Sequence, residues 1–363
     1  MGNNSFGKNF VVTTWGESHG KAMGVVIDGC PPNLPLSLED IHNELHLRSP
    51  SRNKTSFTTP RKEEDKAEIL SGVFEGKTTG APISIIIYNK DARPSDYKSI
   101  ESIYRPGHAN FTYEKKYGHF DPRGGGRASA RETAARVAAG AVAKKWLQLN
   151  NIKLVTYLSS VGEIQTPNIE ISHANVEQIQ ESILNSAIFC PDKEAEVSIL
   201  NYLEEVSAQG DSMGSTVQCH ILGVNPGVGD PIYRKIEAKL ASAMLSINAC
   251  KGFEMGSGFQ AASMYGSEHN DLFVLSSSGQ ITCSTNHAGG VLAGISTGMP
   301  ITMRAAFKPP STIKKPQQSL NKQRQTATLC YGTKARHDVC LGIRAVPVVQ
   351  AMAALTIIDF LLA

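Results

Sequence analysis

Short apolar runs bounded by Gly or Pro occur at residues 9–14, 24–28, 82–88, 215–224 and 300–307, and their length and flanks predict strands. Helical spacing of apolar positions predicts helices over 38–47, 130–149 and 236–248, the last with Ile236, Leu240, Ala243, Met244 and Ile247 on one face. The apolar stretch 345–363 sets Val348, Met352, Leu355 and Ile358 at helical spacing but carries Pro347, Gln350 and Asp359. It reads as a core helix with Pro347 near its first turn, not a membrane span. Strands and helices mix without a regular βαβ beat, which predicts an α+β protein of largely antiparallel sheets with helices packed against them. No segment has linker composition, so the expectation is one large domain over 1–363.

Composition narrows the classes. With 363 residues, 41% of them hydrophobic and 19% charged, the chain is too apolar for a disordered polyelectrolyte. The 36 Lys and Arg against 33 Asp and Glu leave +3, too little for a nucleic-acid partner, so any cationic site has to be local. Seven cysteines without a C-x-x-C pair argue against a disulfide framework and a zinc cluster, and no H-E-x-x-H motif is present, so no metal is expected. The N-terminus lacks a charged-then-apolar leader, and the expectation is a cytoplasmic protein.

The strongest chemical signal is Arg123-Gly124-Gly125-Gly126-Arg127-Ala128-Ser129-Ala130-Arg131-Glu132. Consecutive glycines let backbone approach a ligand, a helix start just beyond supplies unpaired N–H groups, and the arginines offer bidentate cations, so phosphate or carboxylate belongs here. Ser129-x-x-Glu132 also reads as a capping box, which makes Ser129 a cap, a ligand contact or both. The stretch is no P-loop, and no strand-linked G-x-G-x-x-G suggests a dinucleotide fold. Gly16-Glu17-Ser18-His19-Gly20 matches a nucleophile elbow by letter and keeps a serine hydrolase as a competing reading, although a β-like run follows it where a helix should. A non-catalytic anion-binding module is a third reading.

His108, in Arg105-Pro106-Gly107-His108, and His337, in Arg336-His337-Asp338, are either acid/base groups or solvated turn residues. Asp338 is a solvated charge, an ion-pair partner of Arg336 or a base. Taken singly, Lys308-Pro309-Pro310-Ser311-Thr312, Asn286-His287-Ala288-Gly289-Gly290, Ser246-Ile247-Asn248-Ala249 and Arg48-Ser49-Pro50-Ser51-Arg52 read as turns or caps.

Together these segments change the picture. With Thr13-Thr14-Trp15 before the Gly16 run, Asp28-Gly29-Cys30-Pro31-Pro32 and Leu70-Ser71-Gly72-Val73-Phe74-Glu75-Gly76, they fall in the order of one family. The chain resembles the chorismate synthases over essentially its whole length. The resemblance implies a β-α-β sandwich, a homotetramer, and a carbon-oxygen lyase that performs the anti-1,4-elimination of phosphate from 5-enolpyruvylshikimate 3-phosphate. The product is chorismate, at the end of the shikimate pathway for aromatic amino-acid biosynthesis. Reduced FMN is required without net oxidation, and with no reductase segment evident the reductant is expected to be external, NADPH acting indirectly.

The resemblance also implies roles. Ser18, Arg48, Arg52, Ser129, Arg131 and Arg336 would surround the polyanionic substrate, with Arg48 and Arg52 alternatively contacting NADP. His19 would give a proton to the departing phosphate, His108 would protonate or stabilise the reduced flavin, and Asp338 would deprotonate or orient flavin N5. FMN would meet Arg127, Ala128, Ser129, Asn248, Ala249, Ala293, Lys308, Pro309, Pro310, Ser311, Thr312 and Arg336. Ala128 and Ala293 stand where relatives often have Ser and Gly, Pro310 breaks a more usual Lys-Pro-Thr-Ser-Ser, and Val339 stands where Pro is common.

Overall fold

The computed structural model describes residues 3–50, 52, 57–58, 65–90, 102–121, 123–331 and 337–363. Its helices are α1 (Leu38–Arg48), α2 (Asn110–Tyr117), α3 (Thr133–Leu149), α4 (Val176–Asn185), α5 (Lys193–Ala208), α6 (Ile236–Leu245), α7 (Gly266–His269) and α8 (Gly342–Leu361).

Two five-stranded antiparallel sheets frame the core. In the first the order is Ser5–Phe6, Val11–Gly16, Ala22–Asp28, Ile83–Tyr88 and Ala67–Ser71. The second runs Cys250–Met255, Ile301–Phe307, Ser215–Leu222, Lys153–Val161 and Ile164–Gln165. Period-two alternation sends Met23, Val25 and Ile27 with Ile83, Ile85 and Ile87 to the buried face of the first sheet. Burying each such side chain is worth about 1.5–3 kcal/mol.

The space between the sheets holds α3 against the first and α8 against the second, and these two helices pack on each other. Alanines let them approach closely: at Gly140 a Cβ would fall 2.4 Å from that of Ala351. The architecture is α+β. α8 is apolar and long enough to span a bilayer by composition, yet most of it is buried between protein layers.

Asp359, in the last turn of α8, ties down the other end of the chain. Its Oδ1 accepts from the backbone N–H groups of Lys8 and Asn9 at 2.6 Å and Phe10 at 3.0 Å.

Some expectations shift. Pro347 lies in the second turn of α8, because the helix starts earlier, at Gly342. The helix expected over 130–149 is a 3-10 turn, Ala130–Glu132, leading into α3. That expected over 236–248 stops at Leu245, where the Ser246 hydroxyl donates to Ala243 O at 2.6 Å. The strand Lys153–Val161 and helices α4 and α5 were not anticipated. In that strand residues 154–158 are all buried, so the alternation that announces a half-exposed strand is missing.

Candidate active site

A cavity of about 320 Å³ is walled by residues 105 and 107–110, 113 and 120, 124–125 and 128–131, 248–249, 308–312, and 337, 338, 341 and 344. Its size falls within the range of small-ligand sites. Five segments far apart in the chain converge there, each held by identifiable bonds.

The 308–312 wall begins where the strand Ile301–Phe307 ends. Lys308 N donates to Ala249 O at 3.0 Å, and Lys308 Nζ donates to Gly107 O at 3.0 Å and to Ser311 Oγ. Ser311 Oγ also donates to Gly107 O, at 3.1 Å, and a Cβ on Gly107 would lie 2.5 Å from that hydroxyl, so this loop demands glycine. Beside it His108 Nε2 is 2.8 Å from Thr312 Oγ1. Burial, joined by the charges of Arg105, His337 and Lys308, pushes the His108 pKa down to about 3, so the imidazole is neutral near pH 7. Burial, with the nearby charge of Lys251, also lowers Lys308.

The glycine loop takes left-handed backbone throughout, with φ of 62° at Gly124, 91° at Gly125 and 55° at Gly126. A Cβ on Gly124 would sit 2.0 Å from His19 Cε1 and 2.9 Å from Ser18 Oγ, so this glycine is where Ser18 and His19 reach the cavity rim. Ser18 Oγ and His19 Nδ1 are hydrogen-bonded at 3.2 Å. Ser129 Oγ accepts from Arg131 N at 3.3 Å, so it does cap a helical turn. The reciprocal half of the expected box is absent, because the Glu132 carboxylate pairs with Arg136 at 2.9 Å. Arg123 does not face the cavity: Asp121 takes its Nε at 2.8 Å and Nη2 at 2.7 Å.

Behind Arg131 lies a buried ion cluster. Asp65 Oδ1 pairs with Arg131 Nη1 and Asp65 Oδ2 with Arg48 Nη1 at 3.1 Å. Across the cavity Arg344 Nη1 donates to Asp338 Oδ2 at 3.1 Å. Between these walls, Asn248 donates through Nδ2 to Ala128 O at 3.0 Å, while its Oδ1 is buried without a hydrogen-bond partner. Ala249 follows in the left-handed region, φ 67°, a conformation uncommon for a residue with a Cβ.

The family model described as "Chorismate synthase" matches residues 10–362. The chain belongs to the chorismate synthase family. It is 56% identical over 361 residues to the chorismate synthase of Protochlamydia amoebophila, covering 99% of this chain and 97% of that protein. To that of Synechocystis it is 48% identical, over 99% and 97% respectively. A solved structure described as "Crystal Structure of Chorismate Synthase" superposes with a TM-score of 0.78 at 34% identity, covering 98% of this chain and 93% of that one.

Chorismate synthases use reduced FMN, and the cavity residues fit a flavin. The buried Asn248 Oδ1 lacks a donor, which a flavin ring N–H would supply. Lys308, Ser311 and Thr312 offer a cation and hydroxyls for its phosphate and ribityl groups, while Tyr113 and Phe120 offer aromatic wall.

Of the residues the family resemblance singled out, the cavity gathers His108, Asp338, Ala128, Ser129, Arg131, Asn248, Ala249, Lys308, Pro309, Pro310, Ser311 and Thr312. Ser18 and His19 stand behind Gly124. Four others are placed elsewhere. Arg48 is 1% exposed and spends its guanidinium on Asp65, Thr133 Oγ1 and Ala130 O. Arg52 lies 3.9 Å over the Phe189 ring and donates to Leu184 O. Arg127 binds Thr14 Oγ1 at 2.8 Å together with the carbonyls of Thr14 and Gly16. Ala293, φ 52°, forms the turn between strands Val291–Leu292 and Ile295–Ser296. Arg336 lies outside the described residues.

Asp65 and Arg344 are the charged site residues that reading the sequence passes over. Asp65 follows Glu63 and Glu64 in a charged run that looks solvated, and Arg344 sits near the start of an apolar helix where no motif points to it. The Gly16–Gly20 motif joins strands Val11–Gly16 and Ala22–Asp28, an antiparallel hairpin. A nucleophile elbow needs a strand entering a helix, so the hydrolase reading fails on geometry. Among the described residues no group of three His, Cys, Asp or Glu is arranged to hold a metal ion.

Proposed function

We propose that this chain eliminates phosphate from 5-enolpyruvylshikimate 3-phosphate in an anti-1,4 sense to give chorismate, at the last step of the shikimate pathway. The observation that carries the reading is the convergence of His108, Asp338 and Arg131 on one cavity in a chain of this family. Arg131 and Lys308 hold the anionic groups of the substrate and cofactor, where a few local cations suffice despite the small net charge. His19, beside Ser18 at the rim, donates a proton to the departing phosphate. His108, fixed by Thr312 and neutral, gives or holds a proton opposite Asp338. Tyr113, Phe120 and Leu341 exclude water and strengthen these interactions. When bound, reduced FMN would supply the electron density that eases phosphate departure.

The test is an anaerobic assay of phosphate and chorismate release with and without photoreduced FMN. Equal release of both only with reduced flavin is expected, and phosphate release without flavin overturns the reading.

The exposed apolar hairpin of Phe273–Leu275 and Ile281–Cys283 supports a homo-oligomer, which we propose is the family's homotetramer. We further propose a cytoplasmic location and an external flavin reductant. NADP contacts at Arg48 or Arg52 receive no support from their placement on Asp65 and Phe189.

A further inference from the structure

The ion cluster behind the cavity contains a residue with no assigned role. Asp65 is 4% exposed, and each of its carboxylate oxygens meets a different guanidinium, Arg48 on one side and Arg131 on the other. The two arginines differ in what else they do. Arg48 is locked to the frame: its Nε donates to Thr133 Oγ1 at 2.8 Å and its Nη2 to Ala130 O at 2.9 Å, both at the start of α3. Arg131 lines the cavity, and its Nε donates to Asn89 Oδ1 at 3.1 Å. Asp65 is thus the link through which an immobile arginine fixes a ligand-facing one. Its backbone is left-handed, φ 44°, a conformation that packing has to hold for a residue with a Cβ.

The charge arrangement agrees with this geometry. Two guanidiniums this close repel in a dry interior, and one carboxylate between them offsets the repulsion. A carboxylate beside an anion site otherwise weakens it, so its presence there asks for a compensating benefit.

We propose that Asp65 is a positioning residue, which clamps the Arg131 guanidinium against the frame so that it is held in the cavity wall to meet the anionic substrate. This rests on the proposed reaction, and the test separates the two. In Asp65→Asn a negative charge is lost while shape is kept, so electrostatics alone would tighten anion binding, and only lost positioning weakens it. The expected result is a KM for the phosphate substrate raised tenfold or more, with kcat changed less than threefold and FMN affinity, read by fluorescence quenching, within twofold of wild type. Asp65→Glu, which keeps the charge but displaces it, should give a smaller rise. An unchanged or lowered KM in folded Asp65→Asn overturns the proposal, as does failure of both variants to fold, which would make Asp65 a folding element. Wild-type chorismate formation is scored in the same assay. Its absence sinks the proposed reaction. Titration of both proteins with inorganic phosphate then still reads the clamp, weaker binding by the variant supporting it and equal or tighter binding overturning it.

Discussion

Arg344 donates from Nη1 to Asp338 Oδ2 at 3.1 Å and from Nε to the Arg48 carbonyl at 3.3 Å. The first turn of α8 therefore ties the Asp338 carboxylate, in the cavity wall, to the C-terminal end of α1. Replacing Asp338 by Ala should lower kcat by ~10² or more while the fold persists, since acid/base groups contribute ~10² to 10⁴. Arg344→Gln should lower kcat by about tenfold through misplacement of Asp338, with partial recovery in Arg344→Lys. Steady-state kinetics under anaerobic reduced flavin decide both, and near-wild-type kcat in Asp338→Ala would show the carboxylate to be a bystander.

His108 and Thr312 act as a pair at 2.8 Å. His108→Ala is expected to cost ~10² in turnover. Thr312→Val keeps the shape of the side chain and removes the hydroxyl that orients the ring, so it should show a smaller loss of the same kind. Equal kcat in Thr312→Val and wild type would remove Thr312 from any positioning role.

Gly124→Ala puts a Cβ 2.0 Å from His19 Cε1 at a φ of 62°. His19 must move, and a displacement of that size at a proton donor costs on the order of 10² in rate. The variant should fold with near-normal flavin binding, and an unaffected rate would mean that His19 does not work at the rim.

Two buried imidazoles make stability pH-dependent. Burial pushes His220 down to about 4 and, with neighbouring charges, His108 down to about 3. In the unfolded chain histidine titrates near its ordinary 6.5, so below it the unfolded state binds protons that the folded state refuses. Stability contributed by these neutral rings is full above pH ~6.5 and is lost as pH falls toward about 4. The melting temperature should drop between pH 7 and about 5.5, where carboxylates scarcely titrate, and His220→Gln should flatten that drop. A profile as steep in His220→Gln as in wild type would assign the loss to other groups.

Asp359→Ala leaves the N–H groups of Lys8, Asn9 and Phe10 without their acceptor. The expected destabilisation is about 1–3 kcal/mol, measured by urea unfolding, and Asp359→Asn should recover part of it. A midpoint within error of wild type would show that the N-terminal strand is held by packing of Phe10 alone.

Much of the core was legible along the chain because its elements are half-buried and advertise their period. The strands containing Val25 and Ile85, the helix α3 and the apolar α8 follow from spacing and flanking glycines. The expectation of an anion site at residues 123–131 came from glycine and arginine chemistry, and the family followed from the order of the motifs. The strand Lys153–Val161 escaped because burial at consecutive positions erases the alternation that marks a strand.

Which of the arginines face a ligand is a different kind of question. Arg48, Arg123, Arg127 and Arg131 are chemically alike in sequence, yet Asp65, Asp121 and the Thr14 hydroxyl claim the first three away from the cavity wall. Arg131 also bonds to Asp65 but alone of the four lines the cavity. The sequence by itself determined the fold class and the family, because periodicity, glycine placement and motif order are legible along the chain. The tertiary structure decided which of these arginines lines the cavity and that His108 has Thr312, because the partners of Arg127 and His108 lie more than a hundred residues away and meet them only when the sheets and helices pack.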